Sequence, residues 1–167
     1  LPILISAILF QLVSCKPYQI QDTVVTQTPM KEFKNPYFDN SEIDYVYKAQ
    51  IEVYGNKLGG IFVAKKISDS IHRVVFTTEF GNKLMDFELS DKDFKVNYVM
   101  DQLDRKIVLN TLEDDFRLLL KVNHQINQAY ENSLSNVYKS NNGKRFVYFF
   151  VNKNDNKLVR LIRTSKY

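Results

Sequence analysis

Tryptophan is absent, cysteine occurs once, and histidine only twice, at His72 and His124. A single cysteine excludes an internal disulfide. Two isolated histidines, with no HxH, HExxH or CxxC spacing anywhere, leave transition-metal ligation without support. The carboxylates Asp91, Asp93 and Glu113 to Asp115 lack the loop spacing of an EF-hand and read as solvated turn and helix-start residues. Glycine is also scarce, at five residues. No GxSxG and no glycine-rich phosphate loop appears, and the pair Gly59-Gly60 is accounted for by a turn or bulge. Nothing marks a serine nucleophile or a pair of glycosidase carboxylates. The chain therefore reads as non-enzymatic and without a cofactor.

Long apolar runs are missing as well. The longest, residues 1–14 (LPILISAILFQLVS), falls short of the roughly 20 residues that span a bilayer. Its length suits the hydrophobic region of a signal peptide whose basic start is not included in the sequence. It ends at Leu12-Val13-Ser14-Cys15, which resembles the bacterial lipobox. That resemblance implies cleavage before Cys15, lipidation of its thiol and acylation of the new N-terminus with fatty chains such as palmitate. Several acyl chains anchor stably where one is reversible. Lys16 stands where an inner-membrane retention signal has Asp, so the implied address is the periplasmic face of the outer membrane.

What the chain has in quantity is aromatic and β-branched sequence, with 12 Phe and 10 Tyr. Residues 15–41 are polar and broken by Pro17, Pro29 and Pro36, and read as the lipidated cysteine and its tether, with a short helix near 40–46. Residues 42–167 read as one domain. Period-two alternation predicts strands over 47–54, 61–67, 72–77, 83–89 and 94–99, joined by short turns. The period then lengthens toward 3.6, predicting a helix over 112–122 capped at Thr111, and a second over 103–109. Residues 123–135 give no clear period. Three more strands follow, over 136–139, 145–151 and 158–164. The fold expected is α+β: one strongly curved antiparallel sheet of about eight strands, with the helix across its concave face. Met85, Phe87, Phe94, Val96 and Tyr98 would line that face with Phe116 of the helix.

Phe80 is out of place. It puts a large ring in the turn Glu79-Phe80-Gly81-Asn82, where polar residues are usual. The ring either folds back over the sheet edge as core or works as an exposed residue. The net charge of +4 is mild, but residues 139–167 hold Lys139, Lys144, Arg145, Lys153, Lys157, Arg160, Arg163 and Lys166 against the single acid Asp155. Such a run is either a solvated strand face or a contact for anionic lipid headgroups, and it does not demand nucleic acid.

The order of lipobox cysteine, proline-broken tether, strand, glycine turn, strands and apolar-Gly loop resembles the LolA/LolB lipoprotein-carrier superfamily. The closest segment is Arg73 to Gly81 followed by Leu84 to Leu89. The resemblance implies an open half-barrel that holds an acyl chain or an acylated lipoprotein. It also implies a membrane-contacting loop, here Phe80 and Gly81. Glu79 replaces the family's proline, and the tryptophans common in LolB are absent. The alternative function is a non-transport accessory subunit of an envelope protein complex.

Overall fold

Short alternating runs separated by turn residues dictate a strand-rich fold. The computed structural model describes residues 18–27 and 30–166, and its class is α+β. The strands are β1 (Val24–Thr26), β2 (Glu32–Lys34), β3 (Tyr45–Val53), β4 (Asn56–Lys66), β5 (His72–Thr77), β6 (Lys83–Leu89) and β7 (Phe94–Val99). A 3-10 turn (Asp101–Leu103) leads to the helix α1 (Lys106–Leu120). Then come β8 (Asn123–Gln125), β9 (Gln128–Glu131), β10 (Ser135–Asn142), β11 (Arg145–Asn152) and β12 (Leu158–Ser165).

The strands do not form the single sheet expected. β3 to β7 make one five-stranded antiparallel meander, β1-β9-β10-β11-β12 a second sheet, and β2 with β8 a two-stranded one. Two compact units result. One is Glu32–His124; the other joins the described residues up to Lys31 with those from Gln125 onward. The segment read as a tether is thus partly built into the fold. Val24 to Thr26 pair with Ala129 to Glu131, and Phe33 and Phe38 are buried. No helix forms over 40–46, where a turn runs directly into β3.

In the Glu32–His124 unit, β3 and β4 are joined through Tyr54 and Gly55, both with positive φ, as a tight two-residue hairpin requires. Gly59 and Gly60 lie inside β4 rather than in a turn. Gly60 cannot be replaced without cost, because a Cβ there would lie 1.9 Å from the carbonyl oxygen of Thr77. One face of this sheet carries Phe62, Ala64, Val74, Phe76, Met85, Phe87 and Leu89, all buried. α1 covers it with Val108, Leu112 and Phe116, which recur every fourth residue along one stripe. The Phe116 ring lies between Phe62 (5.8 Å) and Phe87 (6.2 Å).

α1 is one helix from Lys106, not two, and Thr111 is interior to it. The Thr111 hydroxyl donates back to the Ile107 carbonyl at 2.9 Å instead of capping an N-terminus. The far end is held by a residue from the expected tether. Asn35 Nδ2 donates to the carbonyls of Leu119 (2.9 Å) and Lys121 (3.3 Å), while its backbone N–H donates to Val122 at 2.7 Å. These bonds satisfy carbonyls that a helix end leaves without partners. Arg117 donates to the Ser90 carbonyl, joining the helix to the β6–β7 turn.

In the second unit both faces of β10 and β11 are buried. Val137, Tyr148 and Phe150 pack on one face with Ile20, Tyr130, Phe146 and Ile162. Ala129, Tyr138, Val147 and Phe149 are buried on the other.

Candidate functional site

The sequence leaves open whether Phe80 folds back over the sheet edge or stands exposed, and the local backbone holds it exposed. Thr78 and Asn82 close the β5–β6 hairpin, the Thr78 N–H donating to the Asn82 carbonyl at 2.8 Å. The Gly81 N–H turns back to the Thr78 carbonyl at 3.0 Å, and Asn82 N–H donates to the Thr78 hydroxyl at 3.1 Å. Gly81 adopts φ +86°, a value that glycine reaches without strain. This is a three-residue loop with a left-handed glycine, a common hairpin closure. It holds Phe80 at the tip, 93% exposed. Glu79 is drawn back to the sheet by an ion pair with Lys48 at 2.6 Å, leaving the ring alone on the projection.

The residues expected to line a cavity are only partly brought together. Met85, Phe87 and Phe116 meet in one buried apolar cluster beneath α1, and Phe94 packs on Phe87 at 5.0 Å. Val96 and Tyr98 do not join them; they are 39% and 44% exposed. The register explains Tyr98. Phe94 and Val96 oppose Leu89 and Phe87, but Tyr98 opposes Asp86 and Val99 opposes Met85. One extra residue in β7, Asn97, therefore switches Tyr98 to the other face. Val99 takes the core place that strict alternation assigns to Tyr98.

On that other face lies a charged centre that pattern reading missed. Asp86 reads as solvent-facing from the alternation, yet it is 1% exposed. Arg73 grips it through Nε to Oδ1 (2.9 Å) and Nη2 to Oδ2 (2.8 Å). Lys83 Nζ adds a contact at 2.9 Å, and Asn97 Nδ2 bridges Asp86 and Glu88 at 3.3 and 2.9 Å. The Arg73 guanidinium is the main reason the Asp86 carboxyl is held far below the usual carboxylate range, with Lys83 and Asn97 adding to it. The Asn97 amide and Lys95 likewise lower Glu88. Arg73 and Asp86 are separated by an aromatic turn in sequence, and only the hairpin register shows that their side chains share a face. The buried carboxylate is fully committed to these partners, so it serves the sheet and offers no base for chemistry.

His124 is also buried, and burial pushes its pKa down to about 4 despite a contact of 3.0 Å between Nε2 and the Lys121 carbonyl. It is neutral at physiological pH.

No group of three or more His, Cys, Asp or Glu among the described residues is placed to hold a metal ion. No helix among them is long and apolar enough to cross a membrane. Cys15 and the apolar segment 1–14 lie outside the described residues. Comparison with family models, with curated proteins and with solved structures gives no match to this chain.

Proposed function

We propose that the chain is a lipid-anchored, non-enzymatic protein of the bacterial envelope, acylated at Cys15 and facing the periplasm from the outer membrane. It works by surface contact, with Phe80 entering the acyl boundary of a membrane. The observation that carries this reading is the exposed ring itself. A phenyl ring held 93% exposed at a hydrogen-bonded turn gives up hydrophobic free energy in water. Full burial of such a side chain is worth about 1.5–3 kcal/mol. The acyl chains at Cys15 would supply the stable anchor, and the ring at Phe80 a second contact that orients the folded chain against the membrane.

The resemblance to the LolA/LolB carriers supports the same loop assignment, with Phe80 and Gly81 at the contact. The finer fold reading is a curved half-barrel. The close approach of Thr77 to Gly60 and the bulges in the β5–β6 and β6–β7 pairings favour local coiling of this sheet. Because Met85, Phe87 and Phe116 pack against one another, an acyl ligand would need α1 to swing off the sheet. The ring packing under α1 favours an accessory subunit of an envelope complex over a carrier that encloses its cargo.

The test is complementation. Phe80→Glu should fold with an unchanged melting temperature and fail to restore envelope function in a deletion strain. Full complementation by the charged variant would remove the membrane role.

A further inference from the structure

Two ammonium groups in the second unit converge on one ring. Lys139 Nζ lies 3.8 Å from the centre of the Phe146 ring, and Lys166 Nζ lies 5.1 Å from the same centre. The ring's negative face attracts each cation, which offsets part of their mutual repulsion. Neither has a carboxylate partner among the described residues, and nor do Lys144 and Arg145 at the β10–β11 turn. The lysines of the β11–β12 turn differ: Lys153 pairs with Glu131 at 2.9 Å and Lys157 with Asp155 at 3.5 Å. The Lys166 N–H donates to the Lys144 carbonyl, so the end of β12 is fixed beside the β10–β11 turn. Positive charge is thus concentrated and uncompensated at one end of the sheet, around a half-buried aromatic ring.

We propose that this end of the sheet, centred on Lys139, Phe146 and Lys166, is a docking face for a membrane surface bearing anionic headgroups. Three features select that partner. The cations are spread over β10 (Lys139), the β10–β11 turn (Lys144), the start of β11 (Arg145) and the residue after β12 (Lys166), which suits an array of anions rather than one small ion. A ring flanked by long basic side chains matches the wet edge of a bilayer, where aromatic bodies and snorkelling ammonium groups are both at home. A single-stranded nucleic acid would need open ring faces for base stacking. Here the Lys139 ammonium already occupies Phe146. The proposal does not depend on the Phe80 loop or on acylation, since it invokes charge and a different unit of the chain.

The experiment is sedimentation of the full chain carrying Cys15→Ser with vesicles of phosphatidylcholine, with and without phosphatidylglycerol. Binding should require phosphatidylglycerol and weaken steeply with salt. The Lys139→Gln, Lys166→Gln double variant should bind about thirtyfold more weakly, and the matching double Arg variant should bind like the parent. Should the Gln variant fail to fold, the Arg variant and the salt dependence decide. Binding that ignores phosphatidylglycerol, or a folded Gln variant that binds like the parent, overturns the proposal. So does tighter binding to a single-stranded oligonucleotide than to the anionic vesicles at equal salt. Loss of neutral-lipid contact in a Phe80 variant would leave this result untouched, which separates the two readings.

Discussion

Arg73 and Asp86 stand on adjacent strands and meet through two parallel hydrogen bonds of 2.9 and 2.8 Å, on the sheet face turned away from α1. The pair is asymmetric. The Asp86 side chain is 1% exposed while that of Arg73 is 45% exposed. Deleting the arginine leaves a buried carboxylate with only Lys83 and Asn97; deleting the aspartate leaves a guanidinium that water can reach.

The two substitutions should therefore differ in cost. Arg73→Met should destabilise by about 2 kcal/mol, because a buried charge loses two of its hydrogen bonds and less of its desolvation penalty is then offset. Asp86→Leu, which continues the apolar row of Val63 and Val75 across the sheet, should stay within about 1 kcal/mol of the parent. Urea unfolding of both variants checks the order, and equal losses would contradict it.

Adjacent glycines should behave differently for a geometric reason. Gly60→Ala places a Cβ 1.9 Å from the Thr77 carbonyl oxygen, so backbone must move. Gly59→Ala meets nothing within 4 Å. The first should cost more than about 2 kcal/mol, and the second should be neutral or slightly stabilising. Thermal melts of the two variants read this directly.

Acid should weaken the fold in two stages. His124 titrates near 6.5 when unfolded and about 4 when folded, so the unfolded chain binds the proton first. Its contribution is complete above pH 6.5 and is lost as pH falls toward 4, amounting to roughly 3 kcal/mol. Asp86, held below its ordinary pKa of 3.8, contributes above that value, and its contribution is lost only on further acidification. Stability against pH should flatten between 6.5 and 4 in His124→Gln while the lower stage persists. An unchanged slope in that window would assign the upper stage elsewhere.

The strands were legible because the 83–89 run alternates: Met85, Phe87 and Leu89 do share the buried face. Alternation could not show the bulge at Asn97, since one inserted residue leaves the composition of β7 strand-like while turning Tyr98 around. Nor could it show that Asp86 is buried, because that depends on Arg73 arriving from the neighbouring strand. The polar, proline-broken stretch before residue 41 looked like a tether. Its structural role rests on Phe33, Asn35 and Phe38, single residues too sparse to give a period. Leu112 and Phe116 made α1 visible, but Thr111-Leu112-Glu113-Asp114 imitates a helix start and divided the helix in two, and the apolar spacing fell on Ile107, which is exposed, instead of on the buried Val108.

The rings under α1 give a stability test of how closely they pack. Phe87 is fully buried between Phe94 and Phe116. Phe87→Ala should cost about 3–5 kcal/mol in chemical denaturation. A loss below about 1 kcal/mol would mean that this face has room to spare and would restore the enclosed-ligand reading.

Phe80 carries the central claim, and the absence of tryptophan makes it directly measurable. Phe80→Trp introduces a single indole at the tip of the hairpin, where its emission reports whether water or acyl chains surround it. With the full acylated chain on phosphatidylcholine vesicles, the emission should move to shorter wavelength and be quenched by quenchers attached to the acyl chains. Emission that stays where it lies in water, with or without vesicles, would contradict membrane contact through Phe80.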